Sequence, residues 1–408
     1  MSTTTPLHHP DGRSHRRHAP QRSLLVRAVL TLLIATAVVA CKPGPKTAPK
    51  PAPAPVVQAA AARSTTTTTR PTKDDQGDDD QGDDDSSTTT TEPTTTTTTT
   101  TTTEPTTTTT ETTTTTTTTT IPPVVPVGPG VDGIRTSEQP YGLVDDGQFI
   151  WVASLQRNKI EKVDPATNRV VGSSPTGGIP VDATFGAGSI WVANQESFDV
   201  TRIDAATGEV LATIRVGSTP VQIVWDGEAV WVANMGSKTV SRIDPATNSV
   251  TDNVYVQSSV FGLAVGGGRL WVSSLGSAVV PGHVAAVDLS TRRVAGRAYL
   301  NGAVEGVAWD GNHVWATVLD GRVVRIDPQS MQVLETLTVG GWPFGITFDP
   351  QWMWVTQRYT GKVLRVDRTD SGLRTSFDVG ANPARVTVGH GSVWVAAEES
   401  HWLARVTP

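Results

Sequence analysis

The chain has 408 residues, with 33 Lys and Arg against 39 Asp and Glu and a net charge of −6. That balance excludes a strongly basic nucleic-acid-binding surface, and a single cysteine, Cys41, excludes an intrachain disulfide or a Cys-ligated zinc. Of the 57 residues from Ser64 to Thr120, 34 are Thr and none is Leu, Ile, Val, Phe or Trp, whereas all 12 Trp lie between Trp151 and Trp402. The Thr-rich stretch cannot bury enough apolar surface to offset its ordering entropy, so the core belongs to the C-terminal part.

At the front, Arg13, Arg16, Arg17, Arg22 and Arg27 precede an apolar run, Ala28 to Ala40. At roughly 1.5 Å per residue that run is too short to span a bilayer, and it reads as the apolar region of a signal peptide, residues 1–40. It ends in Val38-Val39-Ala40-Cys41, which resembles the bacterial lipobox. The resemblance implies cleavage before Cys41 and a lipid attached to its sulfur. The alternative is an uncleaved signal anchor extended back to Leu24, with its arginines holding the N-terminus in the cytoplasm. Either way the C-terminal region is exported, and a location at the outer face of the cytoplasmic membrane or the cell surface is expected.

Residues 41–127 read as a disordered tether rich in Pro, Thr and Asp. A flexible chain of this length has a root-mean-square span of roughly 50 Å, against about 270 Å in extended polyproline geometry. The acidic run from Asp74 to Asp85 lacks the terminal Glu of a calcium loop and reads as a solvated charge run.

From residue 128 onward the sequence repeats. The unit around Pro220 to Val250 contains a short apolar stretch, an Asp-Gly turn, an alternating Val-Trp-Val strand, a polar loop, a strand ending in Ile-Asp and a Pro-Ala-Thr-Asn turn. Its central Trp recurs at Trp151, Trp191, Trp231, Trp271, Trp315, Trp354 and Trp394, with spacings of 40, 40, 40, 44, 39 and 40. Four-stranded units of about 40 residues predict propeller blades. The expected fold of 128–408 is therefore an all-β, seven-bladed propeller of four antiparallel strands per blade. The seventh copy stops at Pro408, short of its outermost strand, and Val131 to Thr136 aligns with that missing strand. The N-terminal segment should close the ring and remove an exposed edge.

The motifs Trp-Val-Ala-Asn, Val-Ser-Arg-Ile-Asp-Pro-Ala-Thr and Val-x-Val-Gly-x-x-Pro resemble the YVTN (YncE-like) propeller repeat, with Trp at the family's first Tyr position. The resemblance covers residues 128–408. It implies an exported binding or surface protein, since enzymes are a minority among such propellers.

Repeated residues are expected to hold the fold. Asp164, Asp204, Asp244, Asp288, Asp327 and Asp367 end third strands and should cap the turns that follow. The basic column Lys162, Arg202, Arg242, Arg325, Arg365 and Arg405 should pair with acidic groups within or between blades, and the Trp column should pack between sheets. Function is then sought where copies differ. Every length change falls between the Trp and the following Asp, so variation is confined to the loop between second and third strands. That loop shares a face with the connections between blades, called here the loop face.

The residues opening each first strand differ most, and a ligand site is expected where they meet the channel: Tyr141, Asp182, Gln222, Phe261, Glu305, Phe344 and Arg385. Three aromatic faces beside both signs of charge suit a polar or amphipathic ligand. Loop residues such as Gln156, Glu196, the insertion Gly276 to His283, Tyr359, Glu399 and His401 add to that face. The partner expected is an unidentified ligand or protein on the loop face of a monomer, with the membrane reached through the lipid anchor and no nucleic acid. The alternative is an enzyme similar to streptogramin lyases, a resemblance that implies a magnesium ion and a histidine base. His283 and His401 stand on the loop face in nearly opposite blades, and His313 and His390 fall in turns on the other face. No catalytic residue, metal site or cofactor is therefore expected.

Overall fold

The computed structural model describes residues 124–408, all of which fall in one compact unit. The signal peptide, Cys41 and nearly all of the tether lie outside the described residues. Six four-stranded antiparallel sheets and one five-stranded sheet form a seven-bladed propeller. Blade 3 shows the plan: Pro220–Trp225 innermost, then Val230–Asn234, Thr239–Asp244 and Ser249–Tyr255 outermost, each paired with the next.

The ring closes as the repeat phase requires. Val131–Arg135 pairs with Trp402–Val406, in the register Val131 to Val406 and Ile134 to Leu403. A further strand, Val125–Gly128, covers that strand from outside. Among the described residues the first strand thus begins at Val125, ahead of residue 128, from which the sequence repeats. Four residues without a counterpart in any other blade carried no periodic signal. Closure is reinforced on the third strand, where Arg405 Nη1 donates to the Pro165 carbonyl and to Asn168 Oδ1 of blade 1, each at 2.7 Å.

Each central Trp is buried between sheets, where its indole N–H needs an acceptor. Two turn chemistries supply it. In the Asp-containing turns, Asp146, Asp226, Asp310 and Asp349 accept backbone N–H bonds with one carboxylate oxygen and the indole N–H of Trp151, Trp231, Trp315 and Trp354 with the other, at 2.6–2.7 Å. In the Gly-x-Gly turns, the carbonyls of Gly186, Gly266 and Gly389 accept instead, at 2.9–3.0 Å. The glycines also admit a neighbour: a Cβ on Gly186 would lie 2.3 Å from Trp225, and one on Gly266 would lie 2.2 Å from Trp309.

The Asp column caps turns as expected. Asp288 accepts from the hydroxyl and N–H groups of Ser290 and Thr291, which hold its carboxyl down at about 2. The basic column departs from the expected ion pairing. Arg202 stacks 4.7 Å from the Trp191 ring and donates to Pro245 O and Asn248 Oδ1 of the next blade. Lys162 lies 4.0 Å from the Phe149 ring and donates to Ala205 O. The turn aspartates accept from local N–H and hydroxyl groups, and Lys162, Arg202 and Arg405 take carbonyls of the next blade, while Arg242 donates to Thr251 and Arg365 lies over Trp352. In this column Arg325 does form an ion pair, with Glu335 at 3.2 Å.

Deleting Val125 to Arg135 should expose the Trp402–Val406 edge and produce aggregation or a fall in melting temperature; an unchanged melting curve with monomeric behaviour would contradict the closure argument. Asp226→Ala should cost about 1–3 kcal/mol in chemical unfolding, since it strands the buried Trp231 N–H.

Candidate functional site

The seven candidate residues come from two adjacent columns of the innermost strands, and in every blade the ladder to the second strand is irregular there. Such bulges re-aim side chains. One column, Tyr141, Val181, Val221, Phe261, Glu305, Phe344 and Ala384, is buried at the axis on the loop side. The next column reads Gly142, Asp182, Gln222, Gly262, Gly306, Gly345 and Arg385. At the glycines the blades abut: a Cβ would fall 2.3 Å from Glu305 O at Gly262 and 2.2 Å from Phe344 O at Gly306.

A hydroxyl relay fixes this approach in three consecutive blades. Ser273, Thr317 and Thr356 accept from the N–H of Gly262, Gly306 and Gly345, and donate to the carbonyls of Glu305, Phe344 and Ala384 in the following blade. Sequence reasoning missed the relay, although the hydroxyl two residues after each Trp was visible.

The loop-face end of the axis is closed. Phe344 meets Tyr141 edge-on at 6.1 Å and Phe261 at 5.8 Å between ring centroids. Arg358 lies 4.5 Å from the Phe344 ring and pairs with Glu398 at 2.6 Å. Glu305 is fully buried among these groups, and neither carboxylate oxygen has a hydrogen-bond partner. Burial pushes its carboxyl up to about 8, against the opposing pull of Arg358 and Arg385.

On the other side of this plug lies a cavity of about 670 Å³. Asp182, Gln222 and Arg385 line it, as do Val144, Thr184, Val224, Thr347 and Thr387, the small residues that pair with the Trp column. Exposure rises along each innermost strand: Val181 and Asp182 are buried, whereas Thr184 and Phe185 are half-buried. Asp145, Asp146 and Gly147 complete the lining at that end. The cavity therefore opens on the turn face and ends blindly beneath the aromatic plug. The candidate residues do converge at the axis, but at the closed end, not at a mouth on the loop face. Three side chains, Asp182, Gln222 and Arg385, reach the cavity, while Tyr141, Phe261, Glu305 and Phe344 form the plug behind them.

At the blind end, Arg385 Nε lies 3.8 Å from Asp182 Oδ1, beyond hydrogen-bond reach, and has no other acceptor. Arg385 Nη2 makes one long bond, 3.5 Å, to Val221 O. Asp182 Oδ2 accepts from the Ile223 N–H at 3.3 Å, and burial raises its carboxyl to about 6 despite Arg385. Gln222 Oε1 accepts from the Leu263 N–H at 2.7 Å. Around these polar groups the lining is mixed, with Val144, Val224 and Phe185 beside Thr184, Thr347 and Thr387.

The histidines separate by face. His283 is buried against Tyr299, with ring centroids 5.3 Å apart, and its Nδ1 lies 3.1 Å from Pro281 O. His401 Nδ1 accepts from the Gln139 N–H. His390 stands on the turn face, its Nε2 3.2 Å from Asp145 Oδ1 at the cavity rim. Among the described residues no group of three His, Cys, Asp or Glu is placed to hold a metal ion.

Glu305 predicts a pH dependence. Unfolded, the carboxyl ionises near its ordinary 4.5; folded, near 8. Between those values the native chain holds a proton that the unfolded chain has released, so stability falls as pH rises through this window. Asp182 acts with the same sign between 3.8 and about 6. Glu305→Gln should raise the melting temperature at pH 8 by about 5 °C and leave it nearly unchanged at pH 4. Equal shifts at both pH values would show that folding leaves the carboxyl's titration unmoved.

No protein-family model and no curated protein matches the chain. Among solved structures, the hydrazine synthase of Kuenenia stuttgartiensis superimposes with a TM-score of 0.60 at 17% identity, covering 67% of this chain and 97% of that one. A streptogramin B lyase does so with a TM-score of 0.59 at 14% identity, covering 67% and 96%. At such identities the likeness is one of fold, and the chain is a seven-bladed β-propeller.

Proposed function

We propose that this chain is an exported, membrane-tethered propeller of the YVTN (YncE-like) kind that binds a small polar ligand in its axial cavity without transforming it. The observation that carries this reading is the blind end of the cavity, where the Arg385 guanidinium is buried with no acceptor for its Nε and with Asp182 only at 3.8 Å. Buried charges left this way cost free energy that a bound ligand recovers. The lipobox-like Val-Val-Ala-Cys sequence and the basic, apolar leader support export and anchoring through Cys41.

Thr387→Trp should fill the cavity from its wall. A small-molecule extract of the native host should stabilise the unaltered protein against heat but not this variant, while Tyr359→Ala on the loop face should retain the effect. Loss of stabilisation in Tyr359→Ala with retention in Thr387→Trp would return the site to the loop face. Cys41→Ser should abolish lipid attachment, read as the loss of the lipid mass and release from the membrane fraction. Unchanged mass and retention would leave the signal-anchor alternative.

Catalysis is the second reading, and one pair of residues favours it. His390 is in contact with Asp145, which lines the rim of the cavity, so a base with an orienting carboxylate stands near where a ligand would lie. If turnover of a cavity ligand is found, His390→Ala should abolish it while binding persists.

A further inference from the structure

Resting on the axial reading just given, we infer that the cavity takes an α-amino carboxylate. Its carboxylate would lie against the Arg385 guanidinium and the Gln222 amide, and its ammonium against Asp182.

The polar atoms left over at the blind end specify this chemistry. Arg385 Nε has no acceptor, and the single long bond from Nη2 to Val221 O leaves most of the guanidinium fork uncommitted. Gln222 uses its carbonyl oxygen on the Leu263 N–H, which leaves its amide nitrogen without a partner among the described residues. Together they present donors to an acceptor. Asp182 presents an acceptor, Oδ1, 3.8 Å from the guanidinium, while its Oδ2 takes the Ile223 N–H. A ligand that joins an acceptor to a donor on the neighbouring carbon spans that separation.

Other ligand classes match less of the arrangement. A phosphate would bring a second negative charge toward Asp182 with one guanidinium reaching the cavity. A simple cation would satisfy Asp182 and leave the Arg385 and Gln222 donors desolvated and unpaired. A simple carboxylate would face Asp182 with nothing to offer it. Beyond the polar end the half-buried Val144, Val224 and Phe185 line the walls together with Thr184, Thr347 and Thr387. Those residues would contact the side chain, and the volume of about 670 Å³ admits a large one.

The test is calorimetric titration of the full chain, carrying Cys41→Ser for solubility, with L-leucine, L-threonine and L-phenylalanine. Their carboxamides and N-acetyl derivatives serve as controls. At least one free amino acid should bind, its amide and its N-acetyl derivative at least about tenfold more weakly, because each leaves one buried group unpaired. Gln222→Glu keeps the acceptor for Leu263, removes the donor and adds repulsion. It should weaken binding at least about tenfold while the melting temperature holds, which guards against a destabilised Arg385 variant. Asp182→Asn should narrow the preference for the free amine over the N-acetyl derivative. Equal binding of amide and acid, or of N-acetylated and free amine, would overturn the inference. So would the absence of binding by all three amino acids at millimolar concentration. If the host extract then still stabilises the unaltered protein and not Thr387→Trp, the axial reading stands and the amino-acid inference alone falls. If the extract is also without effect, both fall.

Discussion

The structure depends on one demand: seven buried indoles, each with a polar N–H that must be satisfied between sheets. The turn joining first and second strands meets it, through an aspartate in four blades and a glycine carbonyl in three. Because the acceptor sits in the turn, indole and turn are locked together, and the level at which the innermost strand meets the second strand follows. The small residues Val144, Thr184, Val224, Thr347 and Thr387 are paired with the indoles in that register. They line the cavity at the level that the Trp column sets. A requirement of the fold thus determines where the internal space lies.

Departure from symmetry then makes the space chemically particular. Four blades carry glycine beside the axis, and their backbones pack against the next blade, in three cases through a Ser or Thr relay. Asp182, Gln222 and Arg385 replace glycine in the remaining three. Behind them, Glu305 is buried among Tyr141, Phe344 and two arginines, where the neutral carboxyl is favoured at pH 7. A neutral Glu305 leaves Asp182 as the nearest counter-charge to Arg385.

Blade count and ring closure are both legible in the repeat. A period of about 40, a partial seventh copy and a spare N-terminal strand are enough for them, because each depends only on alternation and spacing. The column of candidate residues is also legible, since position-by-position comparison of copies exposes whatever breaks symmetry. Its placement is not. Tyr141, Phe261 and Phe344 interlock only through side-chain packing across the axis, and one aromatic per blade in a sequence does not reveal that three of them close one end. The direction of the cavity is hidden for the same reason. The basic column is misjudged from sequence because charge alone does not reveal that the aspartates turn toward local N–H and hydroxyl donors, a matter of turn geometry.

The aromatic plug also sets the traffic through the propeller. With Phe344, Tyr141 and Phe261 sealing one end, the axis is a cul-de-sac and not a conduit. Whatever enters must leave by the same opening, and a competitor cannot displace an occupant from behind. On the proposed axial reading, residence time would be governed at the turn-face rim, where Asp145 and His390 stand, and not by the long variable loops on the far side.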